Sequence, residues 1–237
     1  MVKVDIWSEV TCPWCGLGSH RVERALARFE HADEVQVVHH SFPLGSGFPV
    51  GSTFSVRNFL LRKYGMDARQ AEAAAQQIEA LAHSESLSPY RVLDNQVGNT
   101  DLAHEFLAHA SGQGKNREAW DTIFRAYFGK AQPVFSLEDL LKLADELGLD
   151  REQTRQILDQ RRYRQQVQDD ARQAQRLGAR GAPFIVIDGR YGVPGAQDSD
   201  TLLDLLRTAW TDTHPVTPAA GDAPVCGPDG CAVPERT

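Results

Sequence analysis

No run of apolar residues in this sequence approaches the roughly 20 needed to cross a bilayer as a helix. Basic surplus is also lacking. The 25 Lys and Arg face 32 Asp and Glu, for a net charge of -7, and phosphate binding needs a net basic face. Neither a membrane nor nucleic acid is therefore the expected partner. The opening Met1-Val2-Lys3-Val4-Asp5-Ile6-Trp7 lacks the apolar core and small-residue cleavage pattern of a signal peptide. It reads as the start of a strand, and the expected location is the cytoplasm. Cysteine is scarce: four residues, in two close pairs, Cys12/Cys15 and Cys226/Cys231. In a reducing compartment such pairs point to redox catalysis or metal binding rather than to structural staples. What is present is ordinary globular material: 237 residues, 41% of them hydrophobic, enough for one large domain or two modest ones.

Residues 3–10 alternate and are rich in β-formers, with Val4, Ile6, Trp7 and Val10, and predict a first strand. Leu17, Val22, Leu26 and Phe29 recur near helical spacing and predict a helix over 13–30. Residues 34–42 predict a second strand, and a Gly/Pro-rich passage at 43–52 marks a boundary. From residue 54 to about 177 the pattern is almost wholly helical, with Ser136 as an N-cap and Gly148 as a C-cap. Pro183-Phe184-Ile185-Val186-Ile187, the Asp188-Gly189 turn and Tyr191-Gly192-Val193 then predict a hairpin. A closing helix covers 198–210. The order is β-α-β, helical block, β-β-α: a split α/β domain interrupted by a helical insertion. The last residues, rich in Pro, Ala and Gly, cannot bury enough surface to order themselves, so the expected tail is mobile.

Cys12-Pro13-Trp14-Cys15 falls where the first strand ends and the first helix begins. With Cys12 at the N-cap, Pro13 occupies N1, where a missing N–H does no harm. Cys15 then stands at N3, its N–H expected to point back at the Cys12 sulfur. Free amides and the helix dipole favour thiolate over thiol there. The expected chemistry is thiol–disulfide exchange, with a mixed disulfide on Cys12 resolved by the more buried Cys15. The bland readings are a zinc half-site or two incidental core cysteines. Zinc would need a second ligand pair nearby, and two buried cysteines would not need a proline between them.

Ala182-Pro183 precedes the late strand, in a loop that this fold order brings beside the first helix's N-terminus. A cis bond there would expose the Ala182 backbone for pairing with an extended peptide; Pro simply beginning an edge strand is the alternative. In the tail, Cys226-Gly227-Pro228-Asp229-Gly230-Cys231 is a turn between two sulfurs. It can be a second redox pair delivered to Cys12 and Cys15, a passive disulfide, or a metal half-site. His39 and His40 fall on opposite faces of a strand and read as structural. Arg161-Arg162-Tyr163-Arg164 reads as a solvated helix face. Glu9 is either a proton relay to Cys15 or a solvated strand end. Phe42, Phe48 and Phe54 line a groove or the core.

The element order, Cys12-Pro13-Trp14-Cys15, the helical insertion and Gly181-Ala182-Pro183-Phe184 together resemble the DsbA family, and more narrowly its FrnE-like branch, to which relatives of 2-hydroxychromene-2-carboxylate isomerase also belong. Asn99-Thr100-Asp101-Leu102-Ala103-His104, Phe124-Arg125-Ala126-Tyr127-Phe128, Asp188-Gly189-Arg190-Tyr191 and Gly195-Ala196-Gln197 extend the resemblance over residues 3–210. It implies an α/β, thioredoxin-like fold with a large all-helical insertion. Residues 1–50 and 178–212 would form the thioredoxin-like domain, 51–177 the insertion and 213–237 the tail. It also implies a protein thiol–disulfide oxidoreductase, a reductase or isomerase. Cys12 would be the nucleophile, Cys15 the resolving thiol and Pro183 a cis proline. Pro13, Trp14 and Ala182 would contact substrate, and Cys226/Cys231 would be a secondary redox pair. No cofactor or metal is implied, only an external dithiol or glutathione, with protein or peptide disulfides as partners. Two residues depart from the family pattern. Trp14 stands where the best-known members have His, which predicts a less oxidising pair. Ala182 stands where Val is common. Relatives with glutathione-dependent isomerase chemistry usually carry Ser at position 12, so Cys12 disfavours that alternative; a thiol-based metal-binding or chaperone-like protein is the other.

Overall fold

Strand β1 (Val2–Ser8) was expected to alternate, yet every residue but Lys3 is buried. The reason is its place at the centre of the sheet, covered on both faces, where a strand reads as a continuous apolar run. It pairs in parallel with β2 (Val35–Ser41), Val4 beside Val37. It pairs antiparallel with β5 (Phe184–Ile187), Ile6 beside Ile185. The sheet order is β2-β1-β5-β6, with β6 at Tyr191–Pro194. The Asp188-Gly189 turn joining β5 to β6 has φ of 53° and 66°, the two positive values that a tight hairpin requires. This computed structural model describes residues 1–214 and the backbone of 226–227 and 230–231.

Even-numbered residues of β1 (Val2, Val4, Ile6) face helices α1 (Pro13–Leu26) and α9 (Ser199–Thr213), meeting Val22, Leu26, Leu202 and Leu206. Odd-numbered Trp7 faces the other way, onto Phe42, Phe184 and Ala174 of α8 (Arg164–Arg176). Helix α1 ends earlier than expected. Backbone N–H groups of Arg28 and Phe29 close short turns onto Ala25 and Leu26. This tucks Phe29 against Trp210, ring centroids 6.2 Å apart.

Between β2 and β5 the chain is helical, as expected, with one addition. A two-stranded ribbon, β3 (Thr53–Ser55) with β4 (Gln96–Gly98), interrupts it. Three-residue strands are too short to show a period. Helices α2 (Val56–Tyr64) and α3 (Ala68–Ser84) lie between those strands. Helices α4 (Asp101–Gly112), α5 (Asn116–Phe124), α6 (Leu137–Glu146), α7 (Arg151–Asp159) and α8 follow. Ser136 caps α6 in a reciprocal box with Asp139, as the sequence predicts. Residues 161–163 correct the expected helix face: they form the turn between α7 and α8, and Arg161 pairs with buried Glu105 at 2.7 Å. The helical block has its own core around Phe106, Trp120, Tyr127 and Phe128, and that core also takes in Val10, Cys15 and Leu17. None of the described helices is long and apolar enough to cross a membrane.

Candidate active site

Cys12 is the N-cap of α1, with extended backbone (φ −83°, ψ 115°), and Pro13 begins the helix. Both cysteines are free thiols; Cys12 is half-buried and Cys15 fully buried. The backbone corrects one expectation. The Cys15 N–H donates to the Cys12 carbonyl at 2.9 Å, and no hydrogen bond from it to the Cys12 side chain forms. The sulfur is still favoured as thiolate. The Cys15 thiol and, against the cost of burial, the partial positive charge of the nearby Cys15 and Trp14 N–H groups hold Cys12 below the ordinary thiol value. Burial, and then the neighbouring Cys12, hold Cys15 well above it. Two identical side chains three residues apart are thus set to opposite tasks, one more readily ionised to attack, one kept protonated beneath it.

The loop before β5 meets this helix end. The Ala182-Pro183 peptide bond is cis, and the Cys12 thiol donates to the Ala182 carbonyl at 3.7 Å. Gly18 allows the close approach: a Cβ there would lie 3.2 Å from Pro183 Cγ and 3.4 Å from Ala196 Cβ. The sequence-predicted Cys12, Pro13, Trp14, Cys15, Ala182 and Pro183 therefore come together at one place. The side chains of Cys226 and Cys231, and the tail expected over 213–237 beyond His214, lie outside the described residues.

A chamber of about 350 Å³ opens beside Cys12 and Trp14, walled by Phe48, Phe59, Ile78 and Tyr127, with Lys63 among its lining residues. Phe48 and Phe54 pack together at its side, centroids 6.0 Å apart, while Phe42 belongs to the core under α8. Around it Trp14, Leu44 and Tyr64 are 41%, 51% and 58% exposed. A larger cleft of about 740 Å³, lined by His20, Glu23 and Arg117 among others, contains neither cysteine.

Several site residues escaped sequence reasoning. Tyr90 donates its hydroxyl proton to the Pro13 carbonyl at 2.5 Å, fixing the first turn of α1. Burial raises the Tyr90 hydroxyl well above its ordinary value, so it stays a donor. Thr100 and His104 reach Glu9, which is itself buried rather than solvated. Each contact spans dozens of residues of sequence and leaves no periodic signal. His39 and His40 lie on opposite faces, as read. His39 stacks on Trp120, and His40 stacks on Trp7 and bonds Asp5 at 2.6 Å. Among the described residues no three His, Cys, Asp or Glu side chains gather as metal ligands. The arrangement can exchange disulfides using the two sulfurs alone.

Comparison with known proteins gives the same family. The DSBA-like thioredoxin domain profile matches residues 3–207. A probable DsbA oxidoreductase from Streptomyces coelicolor is 40% identical, with TM-score 0.85, over 99% of this chain and 100% of that one. The uncharacterized YwbO of Bacillus subtilis is 27% identical over 204 residues, 84% of this chain and 92% of YwbO. The fold is also that of DsbM, a cytosolic disulfide reductase of Pseudomonas aeruginosa solved with GSH, at 17% identity and TM-score 0.58, over 88% and 98% of the chains. With most of its length matched by that profile, the chain belongs to the DsbA-like thioredoxin domain family of oxidoreductases.

Proposed function

We propose that this oxidoreductase is a cytoplasmic protein disulfide reductase or isomerase, with Cys12 as nucleophile and Cys15 as resolving thiol. The observation that carries the reading is the split between the two sulfurs. A half-exposed thiol at a helix N-terminus is held low, and the buried thiol beneath it is held high.

In reduction, the Cys12 thiolate attacks a substrate disulfide. A Cys12–substrate disulfide forms, and one substrate sulfur leaves as thiolate. Cys15 gives up its proton, which neutralises that thiolate, and attacks the Cys12 sulfur. The second substrate sulfur departs, and two electrons have passed from the pair to the substrate, leaving a Cys12–Cys15 disulfide. An external dithiol or glutathione restores the dithiol. Isomerisation is the branch in which a substrate thiol, instead of Cys15, resolves the mixed disulfide.

Protein substrates are favoured by the apolar rim. Trp14, Leu44 and Tyr64 offer exposed area beside the chamber to an unfolded or extended segment. Pro13 and the Ala182 carbonyl stand where that segment's backbone would lie. Trp14 carries no charge to stabilise thiolate, which favours a reducing over an oxidising role. The C-x₄-C spacing of Cys226 and Cys231 supports a second pair that passes two electrons to the Cys12–Cys15 disulfide and is itself oxidised. Tethering would supply it at an effective concentration on the order of mM.

The test is insulin reduction by the full chain. Cys12→Ser is expected to abolish turnover, and Cys15→Ser to accumulate the mixed disulfide. Turnover surviving in Cys12→Ser would overturn the reading. Unchanged turnover in the Cys226→Ser/Cys231→Ser chain, with small and protein disulfides alike, would remove only the relay.

A further inference from the structure

Burying a carboxylate costs several kcal/mol unless donors replace its water. Glu9, just past β1, is 2% exposed, and five donors converge on it. Oε1 accepts from the Thr11 N–H at 3.0 Å and the Thr11 hydroxyl at 3.2 Å. Oε2 accepts from the N–H groups of Leu44 at 2.5 Å and Gly45 at 3.2 Å, and from the Thr100 hydroxyl at 3.0 Å. The imidazole Nε2 of His104 stands 3.6 Å from the same oxygen. The close packing depends on Gly45, where a Cβ would sit 2.6 Å from Thr100 Oγ1 and 2.7 Å from the Gly98 carbonyl.

These bonds make one carboxylate the tie between four stretches: the end of β1, the turn into the Cys12 helix, the loop at 44–45 and the start of α4. The same residue reaches the reacting pair from its backbone, since the Glu9 N–H donates to Cys15 Sγ at 3.4 Å. The Glu9 carbonyl also accepts from the Cys12 N–H at 3.2 Å, so the residue that carries the charge touches both cysteines, in a water-poor site where charge is weakly screened.

Such a carboxylate is badly placed to shuttle protons, because both oxygens are already occupied by donors. Burial pushes its carboxyl up, but the His104 imidazole and the Leu44 and Thr11 N–H groups more than offset this, and Glu9 lies below its ordinary value. It remains charged throughout the range in which the thiols titrate.

We infer that Glu9 is a positioning residue whose permanent negative charge disfavours thiolate on Cys12 and Cys15, and so holds the pair toward the reducing end of its range. The electron balance explains the sign. Oxidation removes two electrons and two protons and yields a neutral disulfide. The reduced form is partly thiolate at neutral pH. A fixed negative charge raises the energy of that thiolate and leaves the disulfide untouched, so it destabilises the reduced form and strengthens the pair as a reductant. The charge of Glu9 acts on both sulfurs in that direction, while its backbone N–H, which a side-chain change leaves in place, acts the other way on Cys15. Four other titratable groups lie around the sulfurs. Tyr90 and Tyr127 are held neutral by burial, Lys63 is exposed at the chamber, and His104 faces Glu9 itself.

This inference rests on Cys12 and Cys15 being the redox pair, and the experiment separates the two. The full chain and Glu9→Gln are compared by thiolate absorbance against pH and by equilibration in glutathione buffers. In Glu9→Gln the Cys12 titration is expected to move to lower pH. The equilibrium is expected to shift about tenfold toward the reduced protein, or ~30 mV for a two-electron couple. Glu9→Asp, which keeps the charge, is expected to stay near wild type. A folded Glu9→Gln with wild-type titration and equilibrium overturns the inference and leaves the redox reading standing. Disulfide exchange surviving in Cys12→Ser overturns the redox reading itself. Should Glu9→Gln fail to fold, the wild-type chain with ¹³C-labelled glutamate carboxyls decides. A Glu9 signal that stays constant while the sulfurs titrate supports the fixed charge, and one that moves with them makes Glu9 the proton relay instead.

Discussion

At the scale of single residues, the proposed reducing role of Cys12 rests on two side chains, Trp14 and Glu9. Trp14, 41% exposed, contributes ring area and no charge. A cationic ring at that position, one residue before Cys15, would stabilise thiolate and thereby the reduced form. Trp14→His is therefore expected to lower the Cys12 titration and move the glutathione equilibrium toward reduced protein by tenfold or more, about 30 mV for each factor of ten. Because Glu9→Gln acts on the same charge, the double change Trp14→His/Glu9→Gln is expected to move further than either. Equilibration in glutathione buffers measures all three. An unchanged Trp14→His equilibrium would mean that the ring at 14 is a substrate contact alone.

At the scale of elements, β2 shows how one strand treats two adjacent histidines oppositely. His39 is buried, stacked on Trp120, with no hydrogen-bond partner for Nδ1 among the described residues, and burial takes it to about 3. His40, on the other face beside Trp7, is also opposed by burial, but Asp170 and Asp5 lift it above its ordinary value. For His39 the fold prefers the neutral ring. Its contribution is complete above about pH 6.5 and is lost as pH falls from there toward 3, at about 1.4 kcal/mol per pH unit. For His40 the fold prefers the charged ring, so its contribution is complete below about pH 6.5 and is lost at higher pH. Urea midpoints between about pH 6.5 and pH 4.5 are therefore expected to fall, and His39→Gln to flatten that fall; an equally steep profile in His39→Gln would exclude His39 as its source. The alternation of the two rings was legible in the sequence, because period 2 needs nothing beyond the strand. So were the α1 start at Pro13, the α6 cap at Ser136 and the Asp188-Gly189 turn, all local signals. What was not legible is what depends on distant chain. The β3–β4 ribbon joins residues 41 to 45 positions apart, and the double-sided burial of β1 is visible only once α8 covers the sheet. The environment of Glu9 is built from residues 44, 45, 100 and 104.

At the scale of the molecule, the sheet and the helical block share buried structure across what the sequence divides at 51 and 177. Cys15, Leu17 and Val10, from the segment leading out of β1, belong to the same core as Phe106, Tyr127 and Phe128. Helix α8, the last of the block, closes one face of the sheet over Trp7. Arg21 of α1 ties three segments at once: it pairs with Glu85 beyond α3 and donates to the Ala196 carbonyl after β6 at 2.7 Å. Two parts joined this way cannot unfold separately without exposing the core that holds the resolving cysteine. We propose that the parts are distinct in topology and single in stability. Single-tryptophan chains that keep Trp7 as reporter of the sheet, or Trp120 as reporter of the block, are expected to give coincident urea midpoints, the signature of one cooperative transition. Arg21→Ala is expected to lower both midpoints together, by a loss of stability on the order of 1–2 kcal/mol for the hydrogen bonds to the Glu85 carboxylate and the Ala196 carbonyl. Midpoints that separate, or a loss confined to one reporter, would show instead that the block unfolds from the sheet as an independent lid. Coincident midpoints tie the redox pair to the whole fold, because any opening that frees Cys15 must then also melt the helices packed over it.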